Sequence, residues 1–519
     1  MMEPSSAQIN PYVVSGVVSL AAFIELLDTT IANVALSHIA GSLGAGTEES
    51  TWVLTAYIIS NAIVMPISGW LSGVMGRKNF FMLCIGGFVF TSFMCGIATS
   101  LPMLVLFRLL QGVAGGGLQP VQQAIIRDSF PPEKLGIAFG ITGLSMVLAP
   151  IIGPTLGGFI TDNYSWRWIF LINVPIGIVT MFLVKVLVQG PENTKKVKGT
   201  IDYIGLGLIA IGLGALQIVL DKGQQEDWFD STFIITLACI SFISLLLAVY
   251  WLLRQKDPIV DLKLLAIPSF SLPGIILFFV GFTLWSATSL LPMMVQEDFG
   301  YNATLSGLVL SPSAIFPLFM MPFVGKLVNW IEARYLMSLG LFINAIGMWL
   351  TGLVTPQTDY ATFAIARCFQ TAGLPFLFVP ATTLAFSRIP REKSSNASAI
   401  VSLLRNLGGS IGISLATSIL VHNRQMEQSN LVQHLTIASD GYSSLLSAYT
   451  RTMQNIGLPA AEASAKAMGQ IYQQLLHQAS VLAYRDTFNS VAAMLFVLGI
   501  TALFLPGKNR YTKNNREDA

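Results

Sequence analysis

Fourteen apolar runs, each roughly 18 to 25 residues long, follow one another from 13–36 to 487–506. At 1.5 Å per residue a helix of that length crosses the hydrocarbon of a bilayer, and in lipid every backbone N–H and C=O must be satisfied within its own segment. The expectation is an all-α integral membrane protein with 14 transmembrane helices. Charge content agrees, because 11% of the 519 residues are charged, against about 25% in soluble domains. A net charge of +2 and the lack of any long basic run argue against a nucleic-acid partner. Cys84, Cys95, Cys239 and Cys368 are scattered through predicted helices without CxxC spacing, so neither a disulfide framework nor a metal site is expected. The amino-terminal MMEPSSAQINPY leads into a run too long for a signal-peptide core, so the first helix is expected to be retained.

Lys and Arg fix the expected orientation. With the amino terminus inside, 20 of the 29 fall in inside loops or the tail, six in outside loops, and Arg108, Arg367 and Arg405 within the membrane. Both termini are therefore expected to be cytoplasmic. The chain also repeats itself: Arg108, Gln111, Pro131, Glu133, Lys134 and Gly153 return as Arg367, Gln370, Pro390, Glu392, Lys393 and Gly412, each 259 residues later. PISGWL at Pro66 returns as PFVGKL at Pro322. The expected organisation is a six-helix half over 1–190, two inserted helices and a linker over 191–265, and a second six-helix half over 266–519. The last part includes an outer loop, 422–486, whose composition suggests helical extensions rather than coil. Repeated six-helix halves are the architecture of the major facilitator fold, whose substrate site lies between them near the midplane.

The chemistry is in the few polar groups placed where they are costly. In Leu20 to Leu36, LAAFIELLDTTIANVAL, Glu25 and Asp28 lie mid-membrane, where an acid costs about 2.5–3.5 kcal/mol. Spaced i, i+3, they share a helix face with Thr29, Thr30 and Asn33, a stripe that must face other helices or a watery cavity. Arg108 in FRLLQGVAGGGLQP either pairs with such a carboxylate or snorkels to the outer interface. Arg405, about nine residues into its helix, needs an acidic partner and is expected to face the cavity, while Arg367 reads as a repeat counterpart with a structural role. Gln119, Gln123, Phe282, Trp285 and Met293 are the expected substrate lining with Asn33. In GWLSGVMGRK, Gly69 and Gly76 allow close approach, and Arg77 and Lys78 suit helix carboxyl ends or acidic partners. APIIGPTLGG sets Pro150, Gly153, Pro154, Gly157 and Gly158 on one helix, a bent seam against which others can pack or move. No Gly-x-x-x-x-Gly-Lys-Ser/Thr loop occurs, so ATP is not the expected energy source and the proton gradient is; no cofactor and no enzymatic activity are expected.

LLDTTIANVAL, the spacing of APIIGPTLGG, WRWIFLINVPIG at Trp166 and LQIVLDKGQQEDWF at Leu216 together resemble the fourteen-helix EmrB/QacA-type drug:proton antiporters of the major facilitator superfamily, on the EmrB-like branch, over nearly the whole chain. The resemblance implies a multi-pass protein of a bacterial inner membrane that exports hydrophobic or amphipathic compounds against protons. It also implies a periplasmic membrane-fusion adaptor and an outer-membrane channel as partners. Glu25 lies outside the family signature, and Gly73 stands where the loop motif usually has Asp, so a charge latch through that acid is not expected. An exporter of a single metabolite, siderophore or fatty acid, a solute importer, and a non-transporting sensor or scaffold are the alternatives.

Overall fold

The computed structural model describes residues 10–188, 202–255, 258–435 and 440–504. The boundary at 190/191, the basic residues Lys195, Lys196, Lys198 and Lys256, the tail residues Lys508, Arg510, Lys513 and Arg516, and most of the amino-terminal stretch lie outside them. Among the described residues fourteen helices are long and apolar enough to span a membrane. They are α1 Pro11–Val34, α2 Trp52–Met75, α3 Arg77–Gly96, α4 Leu101–Ser129, α5 Leu135–Asn163, α6 Trp168–Leu187, α7 Tyr203–Lys222, α8 Thr232–Arg254, α9 Pro268–Glu297, α10 Ala303–Leu327, α11 Ala333–Thr351, α12 Tyr360–Ser387, α13 Arg391–Val432 and α14 Ala460–Leu503. An even number of spans leaves the start of α1 and the end of α14 on one side, the terminal face, with the far face opposite.

Burial grades outward from the middle. α1, α5 and α9 are the most enclosed and the inserted α8 the least. Phe90, Phe182, Phe242 and Phe319 are exposed on outward surfaces, as lipid contact requires. The first half is built on α1 against α5 and α2 against α4; the second on α9 against α13 and α11 against α14. The halves meet where α5 packs on α10 and α2 on α13, and α7 leans on α2 while α8 packs outside it.

Small residues set these contacts. A Cβ on Gly153 would lie 2.0 Å from Thr30 Oγ1, and one on Gly157 3.2 Å from Ile31. On the neighbouring face, a Cβ on Gly158 would lie 2.8 Å from the Ala303 carbonyl carbon. The APIIGPTLGG segment is thus a two-sided seam, holding α1 with two glycines and α10 with the third. Pro150 and Pro154 sit inside the same helix, where each removes one backbone hydrogen bond. Gly69 plays the equivalent part between halves, with a Cβ there 3.0 Å from the Ser395 carbonyl oxygen. Gly76, at φ +84°, makes the turn from α2 to α3 in a conformation that L side chains rarely adopt.

α13 and α14 span 42 and 44 residues, about 60 Å or more at helical rise, twice what the hydrocarbon needs. The excess projects from the far face, with helix Asp440–Asn455 between the two. The stretch 422–486 is thus helical wherever its backbone is described, apart from short connections.

Gly158→Ala should lower thermal stability by about 1–3 kcal/mol, because the added methyl meets backbone that cannot rotate away. Gly207→Ala, whose Cβ meets nothing within 4 Å, should hold or raise it. Melting of the two variants in detergent checks the pair.

Candidate functional site

A cavity of about 540 Å³ lies between the halves. Its floor is at Glu25 of α1, Gln119 of α4 and Trp285 of α9, and its walls rise to the far-face ends of α1, α7 and α9 at Val34, Asp221 and Glu297. At the terminal face the halves are closed on each other. Arg77 forms an ion pair with Asp128 and donates to Ser395 Oγ (2.9 Å), Ser394 Oγ (3.0 Å) and the Arg391 carbonyl (3.2 Å). Asp128 therefore supplies an acid for the latch that the missing Asp at Gly73 had put out of expectation. Lys78 is directed away, donating to the Lys185 carbonyl at 2.8 Å.

The two helix α1 carboxyls occupy different environments. Asp28 is sealed: it accepts from Arg108 Nη1 (2.5 Å), Asn173 Nδ2 (2.7 Å) and Gln111 Nε2 (3.1 Å). Arg108 is in turn held by the Val53 carbonyl (3.0 Å) and Gln111 Oε1 (2.8 Å), and lies over the Tyr57 ring at 4.2 Å. Neither side chain is exposed at all, so Arg108 does not snorkel. In a low dielectric such a pair persists because each charge is offset by the other and by further hydrogen bonds, although Arg108 Nη2 is left without a hydrogen-bond partner among the described residues. Glu25, one turn away, lines the cavity. It accepts only from uncharged groups: Gln119 Nε2 (2.7 Å), Asn61 Nδ2 (2.9 Å) and Tyr57 Oη (3.5 Å).

Arg405 turns inward rather than to lipid. It donates to Gln119 Oε1 and contacts Met146 Sδ at 3.0 Å. Gln119 therefore uses both ends of its amide, one toward Glu25 in its own half and one toward Arg405 in the other.

Arg367 repeats Arg108 with a change. The i, i+3 contact returns, Arg367 Nη1 to Gln370 Oε1 at 2.9 Å against Arg108 Nη1 to Gln111 Oε1 at 2.8 Å. Where Arg108 meets Asp28, Arg367 Nη2 meets the hydroxyl of Thr288 at 2.6 Å. No carboxylate pairs with Arg367 among the described residues. The buried acids of this central site thus both come from the first half.

Of the expected lining, Asn33, Gln119, Trp285 and Met293 are on the cavity wall, as is Pro154. Gln123 and Phe282 are not. Each lies one turn nearer the terminal face than a floor residue, Gln123 beyond Gln119 and Phe282 beyond Trp285, and is buried below the floor. Phe282 there packs its backbone on Gly412, whose Cβ would lie 2.6 Å from the Phe282 carbonyl oxygen. Asn61, Tyr57 and Asn173 were not anticipated from the sequence. The signal was available: Asn61 and Asn173 are single amides in otherwise apolar runs, where an unpaired polar group is costly.

A central cavity between two repeated helix bundles, beside ionised groups held deep in the membrane-spanning region, defines a secondary-transporter architecture. The model of the Major Facilitator Superfamily matches residues 18–413, and the chain belongs to that superfamily. It is 35% identical over 472 residues to the multidrug export protein EmrB of Haemophilus influenzae, covering 91% of each chain. It is 34% identical over 487 residues to the fatty acid resistance protein FarB of Neisseria gonorrhoeae, covering 94% of each. Among solved structures, a double-Trp variant of XylE superposes with a TM-score of 0.61 at 12% identity, over 96% of both chains, a likeness of fold.

Breaking the sealed pair by Arg108→Gln leaves a buried carboxylate without its cation and should cost about 3–5 kcal/mol of stability. Combining it with Asp28→Asn should recover a large part of that loss. A double-mutant cycle on melting in detergent, with additive single losses as the contrary outcome, measures the coupling.

Proposed function

We propose that this protein is a proton-coupled exporter of hydrophobic or amphipathic compounds, working by alternating access in the bacterial inner membrane with both termini cytoplasmic. The observation that carries the reading is the position of Glu25 at the floor of the central cavity, joined through Gln119 to Arg405 of the opposite half. The names of the EmrB and FarB relatives support export of apolar cargo, and the positive-inside distribution supports the orientation. In that orientation the closed terminal face is cytoplasmic, and the cavity opens outward.

With the cavity open to the outside, Glu25 meets external protons while Asp28 stays locked to Arg108. Charged Glu25 draws the Gln119 amide N–H toward itself, which aims the amide oxygen at Arg405. A neutral Glu25 needs that N–H less, so protonation loosens the link tying α1 and α4 to α13. Substrate competes with the proton for the same site, which makes the exchange antiport. Asp28 and Arg108 serve as the fixed charge pair holding α1 to α4 and α6, beside which Glu25 exchanges the proton. Arg77 and Asp128, with Gly69 and the α5 seam, form the inner gate. The far-face helices around 422–486 are the proposed docking site for a periplasmic adaptor leading to an outer-membrane channel.

The reading of a fatty-acid exporter draws on the FarB relative. Among the described residues the cavity wall carries no Lys or Arg to hold a carboxylate, which favours neutral or cationic cargo over it.

In inverted vesicles, uptake of a fluorescent hydrophobic substrate driven by an imposed pH gradient should be abolished by Glu25→Gln, while substrate binding to the purified variant should lose its dependence on pH. Gradient-driven uptake at the wild-type rate in that variant would remove Glu25 as the proton carrier. Replacing 436–458 by a short Gly/Ser linker should abolish co-purification with the adaptor and cellular resistance, yet leave vesicle transport intact. Retained adaptor capture would sink the docking proposal.

A further inference from the structure

The two inserted helices lie outside the twelve that form the repeated halves, and they could serve as a spacer. α7 does more than that. Its last two turns reach the mouth of the cavity, where Gln217 and Asp221, spaced i, i+4 on one face, line the wall beside Leu54 and Ile58 of α2. Asp221 accepts a hydrogen bond from Thr55 Oγ1 of α2. Its sequence neighbour Lys222 makes no ion pair with it but lies close enough for its charge to act on the carboxylate, donating to Thr51 Oγ1 and, at 2.9 Å, to Gln225 Oε1, with its ammonium 5.4 Å from the Trp52 ring. No Lys or Arg forms an ion pair with Asp221 among the described residues.

The end of α7 is also fixed in place. The turn that follows brings Trp228 to α13, where its indole N–H donates to Ser418 Oγ at 3.1 Å. The far end of α7 is thus tied to the first half through Thr51 and Thr55 and to the second through Ser418. That geometry holds the Asp221 carboxylate over the opening between them.

A purely structural role explains this acid poorly. A carboxylate in the last turn of a helix opposes the macrodipole, whose negative end lies there, so it gains nothing from its own helix. For a ligand the same arrangement is attractive. The helix end and the carboxylate both present negative potential to the mouth of an apolar cavity, with the Lys222 ammonium offsetting it on the side of Thr51. The other acid at that level, Glu297, is already paired with Arg424 at 3.2 Å. Below it, the indole of Trp285 offers a flat aromatic wall.

We propose that Asp221 is a specificity-determining residue of this cavity, through which the inserted helix α7 recognises lipophilic organic cations. The proposal rests on the reading of the cavity as the substrate site, and adds to it the class of cargo preferred and the helix that selects it. A neutral compound of the same shape uses the apolar wall but not Asp221. Discrimination between the two is therefore the property to measure.

Asp221→Asn removes the charge while keeping an oxygen that can accept from Thr55, so fold and hydrogen bond are retained together. Binding of tetraphenylphosphonium and of uncharged triphenylphosphine oxide is measured by equilibrium dialysis on the purified full-length protein in a non-ionic detergent, with melting as the control for folding. The expected result is a loss of about tenfold in affinity for the cation, unchanged affinity for the neutral probe, an unchanged melting temperature, and recovery of cation affinity in Asp221→Glu. Unchanged cation affinity in Asp221→Asn, or equal loss for both probes, would overturn the proposal while leaving the cavity as the substrate site. Failure of the wild-type protein to bind either probe would overturn both readings together.

Discussion

Asp28 and Arg108 neutralise each other where neither could remain charged alone, and the first half of the molecule is arranged around that necessity. A membrane-spanning bundle has no bulk water to solvate an ion, so each charge recruits every polar group within reach. Gln111, Asn173, the Val53 carbonyl and the Tyr57 ring all converge on this pair. Through these groups α1, α2, α4 and α6 are fixed relative to one another. Glu25 lies one turn from this fixed point, on the same helix but on the cavity wall. That difference in surroundings separates a carboxylate locked to a guanidinium from one held only by uncharged groups at the cavity.

The second half repeats the Arg–Gln contact of the first without its acids at the central site. Arg367 and Gln370 preserve the Arg108–Gln111 contact almost to the distance, yet a threonine hydroxyl receives the guanidinium where the first half has a carboxylate. The two halves therefore differ in charge at matching positions. Gln119 crosses that asymmetry by bonding to Glu25 with one end and Arg405 with the other. A single amide thus links the carboxylate of one half to the guanidinium of the other.

Much of this was legible in the chain. Fourteen apolar runs gave fourteen spans, because length and hydropathy suffice when the solvent is lipid. The APIIGPTLGG segment was readable as a seam, since glycines at that spacing permit backbone contact, and Gly153 and Gly158 meet α1 and α10 as a seam requires. Glu25, Asp28, Arg108 and Arg405 stood out for being costly where they lie. Less visible were the partners. Asn61 and Asn173 are ordinary residues until they point at a carboxylate, and Gln123 and Phe282 failed as lining residues because the cavity floor ends one turn above them.

The sequence by itself determined how many times the chain crosses the membrane, that its halves are copies, and which side chains carry charge into the bilayer. These follow from local composition and from the cost of moving a charge out of water, which depends on depth and little on neighbours. Only the tertiary structure decided which charge each of those groups meets. It sealed Asp28 against Arg108, opened Glu25 to the cavity, gave Arg77 the acid Asp128 in place of the missing one at Gly73, and brought α7 of the insert to the cavity mouth. Pairing in three dimensions depends on helix rotation and on contacts between residues far apart in the chain, and neither is written in the spacing of any one helix.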